Sequence, residues 1–162
     1  MSGFRFRLQP LLDRKIELKE QADKALIERQ RELAAEKERL EQARRHEQEL
    51  IEKKKKLRRE IMSSQGTITG DEIRARVDYI AFVGQEIDRA KEGVYAQQLV
   101  VSEAEDKVKA ARDHLAECTR DVDILTKYRG KLEARFLRDA ERKEALELDE
   151  IGNMLYSTRR RS

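Results

Sequence analysis

Residues 73–125, IRARVDYIAFVGQEIDRAKEGVYAQQLVVSEAEDKVKAARDHLAECTRDVDIL, carry one pattern without a break: Ile73, Ile80, Ile87, Val94, Val101, Val108, Leu115 and Val122 fall seven apart. Three residues after each lies a companion, Arg76, Val83, Ala90, Gln97, Ala104, Ala111, Cys118 and Leu125. Steps of three and four return to the same side of an α-helix, so the stretch predicts a helix with a narrow apolar seam, the signature of a coiled coil.

A second seam lies upstream. Leu12, Lys19, Leu26, Leu33, Leu40, Glu47, Lys54 and Ile61 form one row, with Leu8, Lys15, Ala22, Arg29, Glu36, Ala43, Leu50 and Leu57 as its companion. The frame never shifts, but Lys15, Lys19, Arg29, Glu36, Glu47 and Lys54 interrupt it, which predicts a seam with polar steps. Pro10 suits a first helical turn, where its missing N–H costs nothing.

Between the seams, residues 63–71 read SSQGTITGD, with two nearby glycines among small polar side chains. This is the bend. Thr69 and Glu72 have capping-box spacing, so the second helix is expected to start there. A short connection makes the helices antiparallel neighbours. The expected fold is therefore all-α: a long antiparallel two-helix coiled-coil hairpin, one domain over 1–162, with helices at about 10–62 and 71–155, a bend at 63–70 and a short basic tail at 156–162.

The arms are unequal. Folding the chain at the bend sets Leu8 opposite Leu125, so about thirty residues, from Thr126 to Leu155, are expected to overhang. This overhang retains Leu132, Phe136, Leu137, Leu146, Leu148, Ile151 and Leu155. An apolar stripe left uncovered on a charged helix marks an interaction surface.

Composition agrees with two helices better than with a globule. Charged residues make up 43% and aromatics 5%, with one Pro and no Trp, so the large side chains that fill a central core are scarce. The 36 Lys and Arg nearly cancel the 33 Asp and Glu, leaving a net charge of +3. Interspersed opposite charges support long helices through neighbouring turns. The single Cys118 forms no internal disulfide, no apolar run is long enough to span a bilayer, and residues 1–10 lack the core of a secretory signal; a cytosolic protein is expected.

No catalytic, cofactor or metal residues are expected. His114 and Cys118 are four apart, as two metal ligands on one helical face are, but Cys118 lies on the seam and His46 is distant, so Cys118 reads as a small core residue. The chain has no phosphate-loop glycines and no nucleophile elbow. The run Lys53 to Lys56 with Arg58 and Arg59 reads as a solvated helix surface, not a nucleic-acid stripe, because Glu52 and Glu60 flank it and no aromatic is interleaved. Residues 159–161 read as a soluble basic end.

The aromatics are few and informative. Tyr79 and Phe82 fall outside the seam rows, so at least one is expected to face solvent or a partner, unless both only shield the stripe's flank. Phe4 and Phe6 alternate with Arg5 and Arg7 and either staple the start of the first helix or dock into another protein.

The segments Phe4-Arg5-Phe6-Arg7-Leu8-Gln9 with Leu11 and Leu12, Asp78-Tyr79-Ile80-Ala81-Phe82-Val83, and Arg142-Lys143 to Leu148-Asp149-Glu150-Ile151 together resemble the flagellar export protein FliJ family. The stalk proteins of injectisome type III secretion systems are similar. The resemblance implies a non-enzymatic stalk and adaptor of the flagellar type III export apparatus. Such a protein inserts into the hexameric export ATPase ring, promotes its assembly and activity, and contacts the cytoplasmic domain of the membrane export gate and the export chaperones. It would lie at the cytoplasmic face of the inner membrane at the flagellar base, touching the membrane only through partners, with no role for nucleic acid. Tyr79 and Phe82 match the family's gate-contacting region, from which Glu86 and Arg89 depart. The ATPase-facing set would be Phe4, Phe6, Leu132, Phe136, Leu146, Leu148 and Ile151. The alternative outside secretion is a structural scaffold that dimerises through the second helix, whose β-branched seam favours two-stranded pairing.

Overall fold

The computed structural model describes residues 3–64 and 66–161. It contains two helices, α1 (Gln9–Ser63) and α2 (Gly70–Arg159), joined as an antiparallel hairpin. Gln65 of the expected bend, Met1, Ser2 and the last tail residue, Ser162, lie outside the described residues.

The helix ends are satisfied locally. At the start of α2, Glu72 N–H donates to Thr69 Oγ1 at 3.4 Å and Thr69 N–H donates to Glu72 Oε2 at 3.0 Å. This reciprocal capping box covers two N–H groups that have no partner inside the helix. At the end of α1, the Ser63 and Ser64 hydroxyls donate to the carbonyls of Glu60 and Ile61, both at 3.1 Å. Gly66 follows with φ of 95°, a left-handed conformation that a side chain disfavours. The far end of α2 differs from the expectation. It continues past Leu155 to Arg159, where Ser157 and Thr158 hydroxyls donate to the carbonyl of Met154, each at 2.8 Å. The basic tail is thus largely one more turn of helix.

The chain forms two compact units, residues 24–113 and residues 1–23 with 114–162. In the first, Val83, Ile87, Val94, Val101 and Val108 are buried, all on the two seam rows. Their partners on α1, Leu26, Leu33, Leu40, Ala43, Leu50, Leu57 and Ile61, are half-buried. A β-branched row thus packs against a leucine-rich one, while the outward sides keep their charges. Two polar interruptions are resolved across the seam. Gln97 Nε2 donates to Glu36 Oε2 at 2.6 Å and to the Glu36 carbonyl at 3.1 Å. Lys54 lies over Gly84, with its Nζ 3.1 Å from where a Cβ on that glycine would sit.

In the second unit, Leu12, Ala22 and Cys118 are buried on the seam rows. Lys15, one of the two lysines that interrupt the seam here, donates to Asp121 Oδ2 at 2.8 Å. The fourth buried side chain is Phe6, which precedes α1. This corrects the expected overhang. Residues before the helix run on along α2, so Phe6 packs edge-on against Tyr128 with ring centroids 6.1 Å apart, and Phe4 meets Phe136 at 5.8 Å. The stretch from Thr126 to Phe136 therefore has intramolecular company, and the uncovered part of α2 begins at Leu137. The segment before α1 is not helical, and extended backbone advances about twice as far per residue as a helix, so Phe4 reaches further along α2 than helical pairing alone allows.

Candidate partner-binding surfaces

Three arrangements of side chains are positioned to meet something outside the chain, two of them in the unit of residues 24–113. On one side of the seam near the bend, Tyr79 and Phe82 project from α2. Their rings lie nearly parallel, 18° apart with centroids at 6.4 Å, and Lys53 of α1 sets its ammonium 5.3 Å from the Tyr79 ring centre. Tyr79 is 42% and Phe82 52% exposed. Both face outward, so the pair forms an aromatic platform with a cation at one edge, a type of surface that contributes strongly to recognition. Glu86 and Arg89, one to two turns further on, are paired with each other at 2.8 Å.

On the opposite side of the same seam, Arg58, Ile61 and Met62 of α1 and Val77 and Ile80 of α2 line a shallow groove. Neither periodicity nor charge counting in the sequence singles it out. The signal that could have done so is the position of Val77 and Met62 just beside the seam rows.

The third arrangement belongs to the unit of residues 1–23 and 114–162. Of the residues expected to face an ATPase, Phe6 is buried within the unit, Phe4 and Leu132 are half-buried, and Phe136 keeps 38% exposure beside Phe4. Leu146, Leu148 and Ile151 are open to solvent, together with Leu137, Met154, Leu155 and Tyr156. Leu137, Leu148, Ile151 and Leu155 share one face of the helix by spacing, and Glu141 and Glu144 complete that row. Beyond Phe136 the original seam positions become Asp139, Lys143, Glu150 and Asn153 around a lone Leu146. The helix thus loses the apolar seam that zips it to α1 and acquires a different apolar face.

Among the described residues, Lys15 is the one titratable group whose pKa is clearly displaced. Its pKa lies above the ordinary 10.5, raised by the hydrogen bond it donates to Asp121, then by that carboxylate's charge, with a smaller push from Cys118 and some opposition from desolvation. That marks a seam anchor, far from the range in which a lysine serves as a base. Cys118 Sγ lies 3.8 Å from His114 Nε2, and among the described residues no group of three or more His, Cys, Asp or Glu is placed to hold a metal. No described helix is long and apolar enough to cross a membrane.

A family model described as YscO-like protein matches residues 4–162. No curated protein matches the chain. Among solved structures, one described as a YscO homolog, CT670 from Chlamydia trachomatis, aligns with a TM-score of 0.81 at 22% identity, covering 98% of this chain and 99% of that one. At that identity the likeness speaks for the fold. The family match does not single out the flagellar export protein FliJ, which the motifs in 4–12, 78–83 and 142–151 resemble.

Proposed function

We propose, because this chain belongs to the YscO-like family of type III secretion proteins, that it is a non-enzymatic stalk and adaptor which inserts one end into a hexameric export ATPase and presents its bend to an export gate. The observation that supports this most is the change of face along α2 at Phe136. Up to that residue the chain turns an apolar seam inward against itself, while side chains beside the seam such as Tyr79 and Met62 stay open; from Leu137 to Tyr156 the large apolar side chains are all open. A single helix without an apolar core of its own gains little from folding alone, so its exposed leucines are best explained by an enclosing partner. Charged neighbours on every turn keep that contact polar enough to be reversible, since affinity depends on a few anchors and not on area.

The YscO-like match favours an injectisome-type apparatus. The FliJ-like motifs support the flagellar export apparatus as the second reading. In either system the Tyr79 and Phe82 platform is the natural gate contact, and export chaperones are further partners. The protein would then reside at the cytoplasmic face of the inner membrane, held there by its partners.

The decisive experiment is ATP hydrolysis by purified export ATPase, injectisome and flagellar in parallel, with and without the full chain. The chain is expected to raise hydrolysis by one of them several-fold. Removing 137–162 should abolish the effect while leaving the contact of Phe4 with Phe136 intact, as judged by unchanged aromatic circular dichroism. Unaltered hydrolysis of both enzymes at saturating chain would refute the stalk reading.

A further inference from the structure

We infer that the groove lined by Arg58, Ile61, Met62, Val77 and Ile80, on the side of the seam away from Tyr79, docks an acidic amphipathic helix of another protein. Its floor is apolar and open: Met62 is 70% and Val77 50% exposed, although both sit just beside the seam rows. One heptad further from the bend the same side carries Ile51, which is half-buried, and Gly84. Gly84 has no side chain, and the flexible end of Lys54 lies over it. An apolar groove between two helices is the shape into which a third helix lays its own ridge.

The charge around the trough selects the occupant. Where basic residues of the two helices form local ion pairs, the acid lies one turn away, as in Arg14 with Glu17, Arg29 with Glu32, Arg39 with Glu36 and Arg89 with Glu86. The run beside this groove, Lys53 to Lys56 with Arg58 and Arg59, is the densest cluster of cations in the chain. Among the described residues it contributes one such pair, Lys55 with Glu52 at 3.3 Å, while Lys54, Lys56, Arg58 and Arg59 have no ion pair. Arg58 lies on the rim itself, and Lys55 and Arg74 fall on the rows flanking Met62 and Val77. Uncompensated cations around an apolar floor complement a helix that alternates apolar anchors with Asp or Glu. A polyphosphate has no use for the floor, and a lipid surface does not enter a concavity.

The test uses the full chain and needs no ATPase, so its outcome is separate from that of the stalk reading. A fluorescein-labelled peptide of about five helical turns, with Leu at alternating three and four spacing and Glu beside each, is titrated by fluorescence polarisation. A counterpart with Lys in place of Glu, and vesicles containing an anionic phospholipid, are measured alongside. The Glu peptide is expected to bind, more weakly as salt rises, and the Lys peptide to bind at least about tenfold less well. Gly84→Leu adds a bulky side chain one heptad from Val77, where a docked helix would extend, while improving helix propensity, so the fold is retained; it and Val77→Glu should each weaken binding by about tenfold or more. Equal binding of both peptides, binding unchanged in Gly84→Leu and Val77→Glu, or binding to vesicles without preference for the Glu peptide would each overturn the proposal.

Discussion

Replacing Phe6 by Ala probes how the chain ends its pairing. The ring retains 6% exposure and packs on Tyr128, which is itself open to solvent on its other side. A Phe→Ala change in a closed core costs about 3–5 kcal/mol. This site is bounded by two helices and one strand-like segment and relaxes more easily, which sets the expectation at about 3 kcal/mol, the low end of that range. About 1 kcal/mol of it comes from the edge-on ring geometry. Because each 1.4 kcal/mol is about a factor of ten, the unit of residues 1–23 and 114–162 should open locally about a hundredfold more often. Amide hydrogen exchange reads this directly, as a loss of protection by about two powers of ten over the first turns of α1 and over 118–132 of α2. Residues 24–113 should be far less affected. Phe4→Ala, at a half-buried ring, should lose much less. Protection in Phe6→Ala within about threefold of the parent chain would refute the claim that the pre-helical segment is a structural clasp.

Two further expectations follow from polar contacts in the seam. The Glu36 and Gln97 pair should show a coupling of about 1 kcal/mol in a double-mutant cycle by urea unfolding. The apolar double variant Glu36→Leu with Gln97→Leu should be more stable than the parent, because a half-buried polar pair contributes less than a packed apolar one; zero coupling would mean that the 2.6 Å contact is not formed in solution. Lys15 has a folded-state pKa above 10.5, so its link to Asp121 contributes stability that is fully present below 10.5 and lost as pH rises through the folded value. Asp121→Asn should return the Lys15 titration, followed by side-chain nuclear magnetic resonance, toward 10.5 and leave stability at neutral pH with no new pH dependence. An unmoved titration would remove Asp121 as the cause.

Much of this architecture is written locally. A heptad repeat is a property of neighbouring residues, so Ile73 to Val122 and Leu12 to Ile61 declare their helices and their buried sides whatever they later meet. With few exceptions, Arg76, Leu8 and Arg29 among them, the seam positions are withdrawn from solvent. The capping box at Thr69 and Glu72 is equally local and forms as its spacing predicts. The outward placement of Tyr79 and Phe82 follows from the same periodicity, which locates a candidate surface without saying what binds it.

What sequence alone left open depends on which distant residues become neighbours. Phe4 and Phe6 are compatible with either a staple or a docking element; only the reversal of the chain, which brings Tyr128 and Phe136 beside them, decides that Phe6 is buried. Gln97 and Glu36 read separately as blemishes in two seams, and become a hydrogen-bonded step once the helices are antiparallel and in register. The groove at Val77 and Met62 belongs to neither helix alone, because its floor is shared between them. The physical reason is one of range: periodicity and capping act within a few residues along the backbone, whereas a contact across the hairpin is set by the rise of each helix and the length of everything between, so it exists only in the folded chain.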